Sequence, residues 1–259
     1  MSDHTAAAAA LRAMFHPPAW VQGGISSQDA VFLLELVRAT APYRIVELGV
    51  AAGTSSAVLL FALDRATEDI DSGELYSLDV RETCYFDASR QTGAAVAEMY
   101  PAHRAAWLRD TDPIGARRFS VDRWVAVFDL AFIDATHDHP CPLLDLLYLA
   151  PALRPRAWVA LHDIDLPNLD PNEGSGAMWL FEAWPFTKFR PLSGVSNIGA
   201  VQLPDDLGLL VPMALDLLTW PMNDAPHAEG LAPVFAPIEA AARRRGRPDR
   251  RARAERHRR

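Results

Sequence analysis

The densest group of reactive side chains lies at residues 131–140, AFIDATHDHP, where Asp134, His137, Asp138 and His139 follow directly on an apolar run. A second group, HDID at 162–165, sets His162, Asp163 and Asp165 behind another apolar run. Paired carboxylates can share a divalent cation, and an imidazole beside them titrates near neutral pH and can take a proton. A polar loop behind a buried strand has the same composition, so a metal site, a catalytic base and a plain loop all stay open here. No G-x-S-x-G element accompanies the histidines, which argues against a serine-hydrolase arrangement.

A third constellation is VELGVAAGTSS at 46–56. Gly49 suits a tight turn and Gly53 suits a helix approaching closely behind it, since neither carries a Cβ. The spacing departs from G-x-G-x-x-G and the phosphate-loop lysine is absent, which sets NAD-linked oxidoreduction aside. Glu47 would repel a pyrophosphate but suits a cationic or hydrogen-bond-donating ligand. Asp79, closing ELYSLD, is placed to accept both hydroxyls of a ribose, and Asp110, closing AAWLRD, could accept an adenine amino group.

The elements that must carry these groups alternate. Ser27 reads as the cap of a helix over AVFLLELVRAT; YRIVELGV is a buried strand, and TSSAVLLFALDRA a helix. ELYSLDV, AAWLRD, WVAVFDLAFID and RAWVALHDID read as four more strands, with helices over ASRQTGAAVAEMY and CPLLDLLYLAPAL. This alternation predicts an α/β fold, a parallel sheet with helices on both faces, and ligands at the C-terminal ends of its strands. MWLFEAWPFTKF reads as a helix interrupted by Pro185, whose aromatics could wall the site or pack inward. FRPLSGVSNIGAVQLP reads as two short strands around a turn. The N-terminal FHPPAW could close the pocket or pair two copies in a homo-oligomer.

Half of the 259 residues are apolar, which fits one large globular domain. No apolar run reaches membrane-span length, and the start lacks the basic-then-apolar order of a secretion signal. Cys84 and Cys141 make no disulfide framework, so a cytoplasmic setting is expected. Ten arginines against Asp249 and Glu255 give residues 243–259 a charge of +8; with −8 for the whole chain, the body carries about −16. Such a body is a poor nucleic-acid surface, leaving the basic tail as the place for RNA or an anionic surface. The chain divides into an N-terminal extension at 1–26, a core at 27–203, a proline-rich extension at 204–240 and an arginine-rich tail at 241–259 read as disordered.

With VELGVAAGTSS, LYSLDV, FDLAFIDATHDHP and LRPRAWVALHDID in place, the chain resembles class I S-adenosylmethionine-dependent methyltransferases over residues 27–203. Within them it resembles the branch of macrolide-sugar and aminocoumarin-sugar O-methyltransferases and cephalosporin-hydroxylase-like proteins. The resemblance implies a Rossmann-like sheet of seven strands, mostly parallel, with a reversed edge hairpin around SGVSNIGAVQL. It implies that Glu47, Gly49 and Gly53 surround the methionine part of S-adenosylmethionine, that Asp79 holds the ribose, and that Asp110 lies near the adenine. Asp134 would sit beside the cofactor too.

The acceptor implied is a small hydroxylated molecule such as a sugar. Asp134 and Asp163 end adjacent strands, about 4.8 Å apart, and would hold a divalent ion, with Mg2+ the expected one. Relatives often carry a further acid or amide right after the second aspartate, where Ile164 stands here; Asp165 shares the parity of Asp163 and is expected to replace it. His162, one residue before Asp163, is expected on the opposite face in a structural role, and His139 at the surface. His137 is the leading base, beside Asp134. Two alternatives keep the fold: a cofactor-binding protein without transfer chemistry, and a methyltransferase of protein or nucleic acid.

Overall fold

The computed structural model describes residues 3–66, 73–121, 124–170, 172–191, 196–221 and 232–245. The chain opens with helices α1 (Asp3–Met14) and α2 (Ser27–Thr40), then alternates β1 (Arg44–Leu48), α3 (Thr54–Ala66) and β2 (Glu74–Asp79). A two-stranded insertion follows, β3 (Thr83–Cys84) with β4 (Asp87–Gln91), before α4 (Ala95–Met99) and β5 (Ala106–Thr111). Next come α5 (Arg118–Val121), β6 (Phe128–Ile133), α6 (Cys141–Leu149), β7 (Leu153–His162), α7 (Leu166–Leu169) and α8 (Gly176–Ala183). Strands β8 (Lys188–Phe189) and β9 (Ile198–Gln202) and helices α9 (Leu210–Leu217) and α10 (Ala232–Arg245) complete the described chain.

Seven strands form one sheet in the order β5-β2-β1-β6-β7-β9-β8. The first five in that order are parallel; β9 runs antiparallel to β7, and β8 antiparallel to β9, so only β9 is reversed against the sheet, in an edge hairpin as the sequence predicted. The direction of winding reverses between β1 and β6, which opens a crevice at their C-terminal ends. Strands β1, β6 and β7 are apolar along most of their length because helices cover both faces, and each face has its own core.

Several local expectations shift. The cap of α2 is Ser26, not Ser27: its hydroxyl accepts the Asp29 N–H while the Asp29 carboxylate accepts the Ser26 N–H, a reciprocal capping box. Only Ala95–Met99 of ASRQTGAAVAEMY is helical, because Asp87–Gln91 pairs with β3. The 204–240 extension contains α9 and most of α10, and α10 continues to Arg245, so the first five residues of the arginine-rich segment are helical. The rest of that segment, 246–259, lies outside the described residues. Among the described residues no helix is long and apolar enough to cross a membrane.

Candidate active site

The crevice holds a cleft of about 1080 Å3, lined from the ends of β1, β2, β6 and β7 and the turn after β5. Its centre is fixed by Gly49, at φ +86°, where an added Cβ would lie 2.0 Å from the carbonyl oxygen of Asp134. The chain leaving β6 therefore crosses directly over the β1 turn, and only glycine allows it. Gly53, at φ +91°, approaches Gly93 before α4 rather than its own helix; a Cβ there would stand 2.8 Å from the Gly93 Cα.

Asp79 closes β2 against this turn. One carboxylate oxygen accepts the Val50 and Ala51 N–H groups at 2.8 and 3.1 Å, and the other accepts the Arg81 N–H at 2.9 Å. Each oxygen can accept more than one bond, so a diol can still dock on a carboxylate held rigidly at the cleft wall.

Glu47 does not line the cleft. It is fully buried, and its carboxylate accepts hydroxyls from Ser55, Ser56 and Ser77 at 2.6, 2.7 and 2.5 Å. Burial pushes its pKa up to about 7 although the three serines pull the other way. Glu47 ties β1, β2 and the start of α3 together behind the glycine turn. Asp110 is likewise not at the cleft wall: it bonds Tyr76 Oη at 3.1 Å, pairs with Arg118, and accepts the Thr111 N–H.

On the other side of the crevice, Asp134, His137 and Asp163 come together as expected, and His162 joins them. His137 Nε2 lies 2.7 Å from Asp163 Oδ2 and 4.0 Å from Asp134 Oδ1. His162 Nδ1 lies 3.1 Å from Asp134 Oδ1 and 3.3 Å from Asp163 Oδ1, and its Nε2 is 3.5 Å from Asp29 Oδ2. Face alternation excluded His162 on the assumption that β7 continues. The strand ends at His162, and Asp163 adopts φ +61°, which swings both side chains to the same side. A non-glycine residue held there costs about 1 kcal/mol or more. Asn197 Nδ2 donating to Asp163 at 2.6 Å, with His137, holds it.

Asp165 is not brought to this group; its carboxylate takes Asn168 and Arg190. His139 is buried rather than exposed, its ring against Trp179 and its Nε2 2.9 Å from the Leu217 carbonyl. The aromatic run does not wall the cleft: Phe181 and Trp184 are buried in the core, Trp179 and Phe186 pack against it, and Phe189 packs on Phe32 and Trp158. The wall comes instead from residues 21–24, after FHPPAW, from Tyr85 of the β3–β4 insertion and from 172–174.

The charges in the cluster act directly on one another. The Asp163 hydrogen bond holds the His137 pKa above its ordinary value against the opposing effect of burial. Burial alone would lower His162, but the Asp134 charge, the contacts to Asp134 and Asp163 and the facing Asp29 carboxylate outweigh it and raise its pKa. Burial would raise Asp163, yet the two imidazoles keep its pKa below the usual carboxylate range.

Ligand atoms of Asp134, His162 and Asp163 all lie within 4.8 Å of one another. The buried His162 Nε2 has no hydrogen-bond partner and faces the Asp29 carboxylate, as when a carboxylate orients a metal-bound histidine. Two carboxylates and one imidazole fit a divalent ion, and the nitrogen favours manganese, iron or zinc over magnesium.

A family model described as a methyltransferase domain matches residues 46–164, from β1 to the residue after Asp163. No curated protein matches the chain. Among solved structures, cofactor-bound Rv0187 from MTB aligns at 19% identity and a TM-score of 0.48, over 77% of this chain and 89% of that one. The O-methyltransferase TomG from Streptomyces achromogenes, involved in tomaymycin synthesis and in complex with SAM, aligns at 20% and 0.47 over 78% and 90%. The O-methyltransferase from Bacillus cereus in complex with SAH aligns at 18% and 0.46 over 78% and 91%.

Proposed function

We propose that this chain, whose residues 46–164 match a family model described as a methyltransferase domain, moves a methyl group from S-adenosylmethionine to a hydroxyl of a small molecule. A sugar or hydroxylated secondary metabolite, as in the sugar O-methyltransferase branch, is the acceptor class we favour. One observation carries the reading: a single cleft at the sheet's reversal point has the rigid Asp79 carboxylate on one side and the Asp134, His137 and Asp163 group on the other.

The cofactor presents a methyl already activated on a sulfonium, so the chain has to bind, align and remove one proton. In this reading Asp79 takes the ribose hydroxyls, and the glycine turn leaves room beside Asp134 for the methionine arm. Asp163 orients His137, whose imidazole takes the acceptor's hydroxyl proton as the S–CH3 bond breaks and the O–CH3 bond forms. S-adenosylhomocysteine and the methyl ether are the products. Asp134, Asp163 and His162 would hold a divalent ion, which when bound lowers the pKa of the acceptor hydroxyl. Its two free cysteines favour a reducing, cytoplasmic setting.

Calorimetric titration of the protein with S-adenosylhomocysteine tests the core of this reading. Saturable micromolar binding is expected, weakened about tenfold or more by Asp79→Asn. A folded protein that binds neither S-adenosylhomocysteine nor S-adenosylmethionine overturns it. The ion is tested by adding Mn2+ or Mg2+ to chelator-treated protein: a thermal-unfolding shift larger for Mn2+, and absent in Asp134→Asn/Asp163→Asn, is the expected result.

A further inference from the structure

Helix α2 reaches the candidate ion site through one side chain. Asp29, in its first turn, is 1% exposed. One carboxylate oxygen, Oδ2, accepts the Ser26 N–H and hydroxyl at 2.9 and 2.7 Å, as part of the capping box. The other accepts the Ser196 hydroxyl at 2.9 Å and the Asn197 N–H at 3.0 Å, just before β9. Capping needs only the first oxygen, and most caps keep their carboxylate in water. This one is buried and has a further neighbour. His162 Nε2 stands 3.5 Å from Oδ2, and it is a buried ring nitrogen without a hydrogen-bond partner.

The two nitrogens of His162 face different carboxylates. Nδ1 lies 3.1 Å from Asp134 Oδ1 and 3.3 Å from Asp163 Oδ1, while Nε2 faces Asp29. An imidazole gives a cation one nitrogen, and the hydrogen bond made by the other nitrogen decides which one it is. With the proton on Nε2, directed at Asp29, Nδ1 presents its lone pair where Asp134 and Asp163 converge. With the proton on Nδ1, the lone pair faces the Asp29 carboxylate, which has no proton to offer it, and an ion between the other two carboxylates has no nitrogen ligand.

We propose that Asp29 is a positioning residue of the ion site: its carboxylate keeps the proton of His162 on Nε2 and so leaves Nδ1 free for a divalent ion held with Asp134 and Asp163. The proposal rests on the ion reading above and extends it to α2, whose cap and ion-site contact share one carboxylate oxygen. A residue with no ligand atom in the site thereby sets how well the site binds.

The test begins with Zn2+, which is diamagnetic, added to chelator-treated full-length protein isotopically labelled in its histidine nitrogens. The His162 resonances, identified by their absence in His162→Gln, should show Nδ1 bound to the ion and the proton on Nε2. An ion on Nε2 with the proton on Nδ1 overturns the proposal without any change at Asp29. Calorimetry with Mn2+ supplies the second arm. Asp29→Asn replaces a carboxylate that only accepts by an amide, and should weaken Mn2+ binding by about 10- to 100-fold, the usual worth of such an outer partner. In the His162→Gln background the same substitution should cost far less, because its effect runs through the imidazole. Ser26→Ala loses a cap hydroxyl but keeps Asp29 facing His162, so it should lower Tm and leave Mn2+ affinity unchanged. Full additivity of the Asp29 and His162 substitutions, or an equal loss of Mn2+ affinity in Ser26→Ala, makes Asp29 a helix cap alone and overturns the proposal, as does a folded Asp29→Asn protein that binds Mn2+ like the wild type. Wild-type protein that binds neither Zn2+ nor Mn2+ overturns the ion reading as well, while its binding of S-adenosylhomocysteine decides the methyltransferase reading separately.

Discussion

In the proposed reaction His137 is the base, its Nε2 held 2.7 Å from the Asp163 carboxylate. The same hydrogen bond raises its pKa, so the neutral, proton-accepting form is populated only at a pH above the ordinary histidine value. Methyl-transfer rate under saturating cofactor should therefore climb with pH through a midpoint above 6.5, and Asp163→Asn should move that midpoint down. His137→Gln should lower kcat by roughly 10²- to 10⁴-fold, the usual worth of a positioned base, with S-adenosylhomocysteine affinity held. A variant with an unchanged pH profile would remove His137 from the reaction. Asp134, His137 and Asp163 were legible in the sequence because each follows an apolar run that had to be a buried strand. His162 was not, since its placement depends on the left-handed backbone of Asp163, and alternation along a strand carries no sign of where the strand stops. Glu47 was seen but misplaced: only the folded chain shows that Ser55, Ser56 and Ser77 surround it.

At the scale of elements, the sheet could be read because β1, β2, β6 and β7, buried on two faces for most of their length, leave apolar runs at regular spacing, whereas β5 at the edge is largely exposed. The β3–β4 insertion could not. Its strands are two and five residues long, mostly exposed, and carry no apolar alternation. The aromatic run at 178–189 was ambiguous for the opposite reason, since apolar side chains suit a pocket wall and a core equally, and here they fill the core. Between β1 and β6 the elements meet at one atom-scale constraint. Leu48 accepts the Asp134 N–H while Asp134 stands over Gly49, so the β1 turn and the β6 terminus are one unit. Gly49→Ala should consequently destabilise the fold by about 3 kcal/mol or more and displace Asp134 from the site, because the clash is with backbone and not with a movable side chain. Urea unfolding checks the first effect, and divalent-ion binding to the fraction still folded checks the second. A Gly49→Ala protein of unchanged stability would contradict the close crossing.

Over the whole molecule most of the buried titratable groups pull in one direction above mildly acidic pH, His139, whose pKa burial lowers, being the exception. Glu47 and Asp145 have pKa values pushed up to about 7, and those of His137 and His162 are raised as well. Each binds protons more tightly folded than unfolded, so its stabilising effect is complete below the unfolded pKa and disappears as pH rises through the folded one. Asp29, Asp110 and Asp163 are lowered and act oppositely, stabilising above an ordinary aspartate pKa and failing only as pH falls below it. Stability should therefore peak on the acid side of neutrality and decline toward pH 8. Glu47 alone, moved from 4.5 to about 7, accounts for roughly 3 kcal/mol of that decline at full value. For a chain of this size that is about 6–12 °C in Tm between pH 5 and pH 8. Glu47→Gln keeps a hydrogen-bonding group among the three serines without the titration. Its Tm should vary less with pH than that of the wild-type protein, with the gain concentrated at pH 8. If both proteins instead lose Tm in parallel, Glu47 is ionised at neutral pH, and the three serine hydroxyls are strong enough to keep a bare charge in the core.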